Sequence, residues 1–131
     1  MKTILFITIL VTSLFSGTLT NEFPTKNLIN NNIPIIDIRT PPEWKETGLI
    51  KGAIPIMFFD QRGRYNVRAF LDELNKKIDT KKPFALICLT GSRTKILSEF
   101  LANELNYKVT NLLGGMMYVK GAKLPIVSYN R

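Results

Sequence analysis

Two apolar runs, residues 33–38 and 84–88, constrain the fold of this chain most, because both are rich in β-branched or bulky side chains. A continuous run of this kind is typical of a strand that is buried on both faces, as in a parallel sheet. Residues 107–112 are predicted to form a third strand, and residues 52–56 a shorter one. Pro55 cannot donate a ladder hydrogen bond, so we expect the shorter strand near a sheet edge.

Segments with helical features separate these runs. Thr40 can cap a short helix, Pro41 suits its first position and Glu43 completes a capping box. Residues 66–78 and 94–105 carry apolar side chains at the i, i+3, i+4, i+7 spacing of amphipathic helices. A short helix is expected over residues 116–120, and residues 124–127 close the chain. This alternation predicts an α/β domain with a central, mainly parallel sheet and helices on both faces.

The first twenty residues have the order of a secretory leader. Lys2 provides the positive start, residues 4–14 are mostly apolar, and small or polar residues follow. We therefore predict a signal peptide over residues 1–20, a single domain over residues 21–131, and a periplasmic or otherwise exported protein. A permanent N-terminal anchor or a buried strand is the alternative. After removal of the leader we expect no association with a membrane.

The net charge and the absence of histidine limit the partners and the types of catalysis that the chain can support. The net charge is +8, but the basic residues are scattered, which argues against nucleic acid and leaves a small anion as the favoured partner. The chain has no histidine, which excludes Cys-His and Ser-His-Asp catalysis and the common zinc sites, so we expect no metal and no cofactor. The sequence leaves the oligomeric state open, with a monomer slightly favoured.

Cys88 is the single cysteine, and it lies where a buried strand gives way to a loop and a helix. Gly91 permits a tight turn that can aim successive N–H groups at one point. The helix N-terminus and the Arg93 guanidinium add positive charge there, which favours a thiolate without a histidine base. The predicted anion-binding loop consists of Leu89, Thr90, Gly91, Ser92, Arg93 and Thr94. An inert buried cysteine and an intermolecular disulfide are the alternatives.

Four segments of the chain resemble the rhodanese family, specifically its exported single-domain members. The segments are Ile36-Asp37-Ile38-Arg39 with Glu43-Trp44, residues 48–54, residues 88–94, and Leu112-Leu113-Gly114-Gly115-Met116. The resemblance implies the family's three-layer sandwich. It also implies a sulfurtransferase, in which Cys88 takes sulfane sulfur from a small anionic donor such as thiosulfate and passes it to cyanide or a thiol.

The same resemblance implies roles for the residues around Cys88. Backbone N–H groups of residues 89–93 would hold the persulfide, and Arg93 would close the loop and steer the anion. Asp37, Arg39 and Glu43 would be structural, with Arg39 paired to Asp37 or Glu43.

Leu89 stands where the family often has arginine, which removes one positive charge from the rim and puts donor preference and turnover in question. Arg62 or Arg64 could compensate, although a solvated loop is the simpler interpretation of both.

Two other functions remain open. A phosphatase or arsenate reductase could use the same loop, but the phosphatase pattern Cys-x5-Arg is one residue longer than the spacing from Cys88 to Arg93. Rhodanese-like domains can also be non-catalytic binding modules, which typically lack the cysteine that this chain has.

Overall fold

The computed structural model describes residues 17–131, and its centre is a parallel sheet. The sheet strands are β1 (Thr18–Glu22), β2 (Ile35–Asp37), β4 (Ile54–Pro55), β5 (Phe84–Ile87) and β6 (Lys108–Leu112). Their order is β1-β6-β5-β2-β4, and every pairing is parallel. Two short strands, β3 (Leu49–Ile50) and β7 (Ile126–Val127), pair separately and antiparallel.

Five helices connect the strands of residues 17–131. They are α1 (Lys26–Asn30), α2 (Pro41–Thr47), α3 (Val67–Lys77), α4 (Ser92–Leu105) and α5 (Gly115–Gly121). The Asn66 side chain caps α3 by accepting from the Ala69 N–H at 2.9 Å. Pro55 lies in β4 at one edge of the sheet, which confirms the expectation for that strand.

The sheet buries a separate apolar cluster on each face. Phe70 and Leu74 of α3 and Leu97 and Leu101 of α4 pack with Leu86 on one face. The opposite face holds a second cluster, which contains Leu28 of α1, Ile35, Ala85, Ile87 and Leu112 of the sheet, and Met116 and Val119 of α5. Because successive strand residues point to opposite faces, one apolar run supplies both clusters. The predicted α/β architecture, a three-layer sandwich with helices on both faces, is confirmed.

The structure differs from the sequence prediction mainly at the N-terminal end. No strand or helix is predicted from the sequence over residues 21–32, but they contain the end of β1 and all of α1. β1 is an edge strand whose side chains are mostly exposed, so it carries no apolar signal. It starts at Thr18, inside the predicted leader, whose residues 1–16 lie outside the described part of the chain. No helix found in residues 17–131 is long and apolar enough to cross a bilayer.

Candidate active site

Cys88 lies at the carboxyl end of the central strand β5, between the ends of β6 and β2. Ligands of open α/β sheets bind at this edge. The Cys88 side chain has no exposed surface. Its Sγ accepts a hydrogen bond from the Gly91 N–H at 3.2 Å and lies 3.6 Å from the Thr94 hydroxyl oxygen. The strand, the turn and the start of α4 therefore converge on the sulfur.

Gly91 makes this turn possible. Its φ of +99° lies in the left-handed region that only glycine adopts easily, and the residue caps the N-terminus of α4. This conformation directs the Gly91 N–H back to the sulfur while its carbonyl starts the helix by accepting from the Lys95 N–H at 3.1 Å. The sequence prediction of a turn at Gly91 is confirmed.

The N-terminus of α5 orients the first two peptides of the loop. The Met116 N–H donates to the Cys88 carbonyl at 2.8 Å, and the Met117 N–H donates to the Leu89 carbonyl at 3.0 Å. In a trans peptide the N–H points away from the preceding carbonyl, so the Leu89 and Thr90 N–H groups face away from α5. A Cβ at Gly115 would lie 2.5 Å from the Leu89 carbonyl oxygen, so this close approach requires glycine.

Arg93 forms a bidentate ion pair with Glu43 of α2. Both Nη–Oε distances are 2.7 Å, and the two side chains are 25% and 23% exposed. The hydrogen bond from Arg93, opposed by burial and aided by the Thr40 N–H, lowers the pKa of Glu43 to about 2. The hydrogen bond with Glu43, opposed by burial, raises the pKa of Arg93. The pair ties the start of α4 to α2, and it matches the Arg93 charge with a carboxylate.

Asp37 and Arg39 form a second, fully buried ion pair at the end of β2. Arg39 Nε and Nη2 reach the Asp37 carboxylate at 2.9 and 2.7 Å, and Nη2 also donates to the Gly48 carbonyl at 2.7 Å. The Trp44 indole donates to Asp37 at 3.1 Å. These contacts fix α2 on the sheet and so set the position of Glu43. Arg39 thus pairs with Asp37, while the Glu43 carboxylate meets Arg93.

The side chains of the other predicted loop residues form no hydrogen bond with the sulfur. Leu89 is partly buried and packs against the cluster that contains Ile87 and Met116. Thr90 and Ser92 are exposed, with their hydroxyl oxygens 3.5 Å apart. They mark the solvent side of the loop.

Arg62 and Arg64 lie in the turn after β4. The Arg64 guanidinium donates to Asp60 at 2.9 Å, and Asp60 also accepts from the Arg62 N–H at 2.8 Å. The Arg64 N–H donates to Asp60 at 2.9 Å, and this hydrogen bond is the main reason that the pKa of Asp60 is lowered. Both arginines line a cleft of about 360 Å³ with Pro41 and Pro42 of α2. Compensation by Arg62 or Arg64 for the charge missing at Leu89 stays a hypothesis beside the simpler interpretation of a solvated loop.

A parallel α/β sheet with a cysteine at the end of its central strand, followed by a glycine turn and a helix N-terminus, defines a class of domains that present a nucleophile beside an anion site. Within that class, the family model described as "Rhodanese-like domain" matches residues 24–122, and the chain belongs to this family.

The chain is also similar to individual proteins and solved structures. An uncharacterised protein of Rickettsia prowazekii is 34% identical over 84 residues, which cover 62% of this chain and 66% of that protein. The reduced CoADR-RHD of Bacillus anthracis superposes with a TM-score of 0.62 at 27% identity, over 86% of this chain and 18% of that one. The polysulfide-sulfur transferase of Wolinella succinogenes, described as a homodimer, superposes with a TM-score of 0.60 at 22% identity, over 86% of this chain and 81% of that one.

Proposed function

We propose that the protein is a sulfurtransferase that carries sulfane sulfur as a persulfide on Cys88. The observation that carries this proposal is the position of Cys88 Sγ, which accepts the Gly91 N–H at 3.2 Å at the N-terminus of the 14-residue helix α4. The positive end of the helix and the Gly91 N–H favour negative charge on sulfur. A thiolate there needs no histidine base.

The reaction would proceed in two displacements. The Cys88 thiolate attacks the outer sulfur of a donor such as thiosulfate, the S–S bond of the donor breaks, and sulfite leaves with the electron pair. An acceptor, cyanide or a thiolate, then attacks the outer sulfur of the persulfide. The bond to Cys88 Sγ breaks, and the electron pair returns to Sγ. No cofactor or metal takes part in either step.

The proposed donor reaches Cys88 from the solvent side of the loop. Cys88 has no exposed surface, whereas Thr90 and Ser92 are exposed. The carbonyls of Cys88 and Leu89 are held by α5, so the loop must move on its Thr90–Ser92 side to admit the donor. Arg93 would act mainly by anchoring this loop, because Glu43 compensates its charge.

The partners in this proposal are a small anionic sulfur donor and a thiol or cyanide acceptor. Residues 1–20 would direct the chain to the periplasm or another exported location, and the mature domain would act there without a membrane.

Intact mass spectrometry tests the proposal. Incubation of the reduced protein with thiosulfate should add the mass of one sulfur atom, and cyanide should remove it with release of thiocyanate. Cys88→Ser should show no adduct. Ser98→Ala, which removes a buried hydroxyl of α4 that donates to the Lys95 carbonyl at 3.3 Å, serves as the matched control and should load normally. Failure of the wild-type protein to gain sulfur from thiosulfate, polysulfide or a low-molecular-weight persulfide would refute the function. Hydrolysis of a phosphate ester in its place would favour a phosphatase.

A further inference from the structure

Thr94 is a fully buried polar residue in the first turn of α4, and its hydroxyl has two acceptors within reach. The hydroxyl oxygen lies 3.2 Å from the Gly91 carbonyl oxygen and 3.6 Å from Cys88 Sγ. A hydroxyl group has one hydrogen and two lone pairs, so it can donate to only one of these atoms at a time. The direction of its hydrogen bond must therefore depend on the charge of the sulfur.

Each state of the sulfur fits one arrangement of the hydroxyl. When Sγ carries a proton, Sγ–H can donate to Thr94 while Thr94 donates to the Gly91 carbonyl. When Sγ is ionised, the Thr94 hydroxyl can rotate and donate to sulfur. The Gly91 carbonyl is not left without a donor in that case, because it keeps the Lys95 N–H at 3.1 Å. The rotation therefore leaves no buried group unpaired.

We propose that the Thr94 hydroxyl stabilises Cys88 Sγ as the leaving group when the persulfide gives its outer sulfur to the acceptor. This role rests on the proposed function and assigns the step at which Thr94 acts. In the persulfide the negative charge lies on the outer sulfur, and Sγ is bonded and neutral. When the acceptor breaks the S–S bond, the electron pair moves to Sγ, and the Thr94 hydroxyl turns from the Gly91 carbonyl to the sulfur.

Other charges around the loop stay in place when only this hydroxyl is removed. Glu43 of α2 compensates Arg93 of α4, and Asp37 of β2 pairs with Arg39. The remaining titratable side chains of α2, α4 and α5 are Lys45, Glu46, Lys95, Glu99, Glu104, Tyr118 and Lys120. None of these groups is hydrogen-bonded to the Thr94 side chain, whose contacts are the Gly91 carbonyl and Cys88 Sγ.

Thr94→Val removes the hydroxyl and keeps the shape of the side chain. Thr94→Ala also removes the hydroxyl but places no methyl group beside the Gly91 carbonyl. Thr94→Ser retains the hydroxyl. Ser98→Ala is the matched control, because Ser98 is equally buried one turn later on α4 and donates only to the Lys95 carbonyl at 3.3 Å. The first measurement is the ultraviolet absorbance of the thiolate against pH, with Cys88→Ser as the blank. The second is the single-turnover rate of persulfide discharge to cyanide.

Both Thr94→Val and Thr94→Ala should move the absorbance midpoint up by about 1 pH unit and slow discharge by about tenfold, because a hydrogen bond to the charged sulfur is lost. Loading with thiosulfate should recover at alkaline pH, where the thiol is ionised without help, while discharge stays slow. Thr94→Ser and Ser98→Ala should match the wild type in both measurements. The proposal would be overturned if Thr94→Val or Thr94→Ala folds and has the absorbance midpoint and the discharge rate of the wild type. If the wild-type protein takes no sulfur, the proposed function fails, while the absorbance profile still decides whether Thr94 stabilises the thiolate.

Discussion

The ion pair between Arg93 and Glu43 gives the sharpest test of how the loop is held. Glu43→Gln and Arg93→Met each remove one charge, and the double variant completes a thermodynamic cycle. Two charges about 4 Å apart interact by about 4 kcal/mol at an effective dielectric constant of about 20. Desolvation and the ordering of two partly exposed side chains offset much of this attraction. Because the contact is bidentate, with both distances at 2.7 Å, we expect a net coupling of about 1–2 kcal/mol.

Urea unfolding at neutral pH measures the coupling energy as the non-additivity of the two substitutions. Glu43→Gln also alters the hydrogen bonds that Glu43 accepts from Thr40 at 3.3 and 3.1 Å. This change affects the stability of the single and the double variant equally, so it cancels in the cycle. The exposed pair Lys76–Glu73, with side chains 70% and 51% exposed, is the matched control and should give no more than about 0.5 kcal/mol.

The pH dependence of the coupling has a defined sign. The folded protein lowers the pKa of Glu43 from 4.5 to about 2, so its contribution is fully present above about pH 4.5. As the pH falls below that value the unfolded chain takes up a proton before the folded one, and stability is lost until the folded carboxyl is protonated near pH 2. A coupling equal to that of the control pair, or one that persists unchanged down to pH 2, would refute the assignment of Glu43 as the anchor of the loop.

Two further predictions concern the backbone around the site and the N-terminal boundary. Gly115→Ala should lower the free energy of unfolding by about 2–4 kcal/mol and abolish sulfur loading, because its Cβ would lie 2.5 Å from the Leu89 carbonyl. Gly52 is the control, because it also has a positive φ but no atom lies within 4 Å of the added Cβ. Gly52→Ala should lower the free energy of unfolding by only about 1 kcal/mol, and the protein should load sulfur normally. A chain that begins at residue 17 should be more stable in urea than one that begins at residue 21 by about 1–2 kcal/mol, because residues 18–20 pair with β6; equal stability would show that β1 does not contribute.

The sequence alone determined the central strands, the helix caps and the identity of the loop. The buried runs ending at Asp37 and Ile87 are unbroken by polar residues in their interiors, so they mark strands of a parallel sheet without any tertiary information. Asn66 marks the start of α3 and Gly91 marks a turn with positive φ because both depend on local chemistry. The predicted start of the next helix at residue 94 was two residues late, since α4 begins at Ser92 directly after that turn. These features are visible because each arises between residues that are close along the chain.

Only the tertiary structure decided which groups meet around Cys88. Arg93 and Glu43 are 50 residues apart, and a single sequence gives no signal for a contact of that range. The same holds for the donation from α5 to the Cys88 carbonyl and for the pairing of Thr18 with Lys108. Parallel strands bring distant segments to one edge of the sheet, so the order of the strands, and not the local pattern of residues, assembles the neighbours of the sulfur.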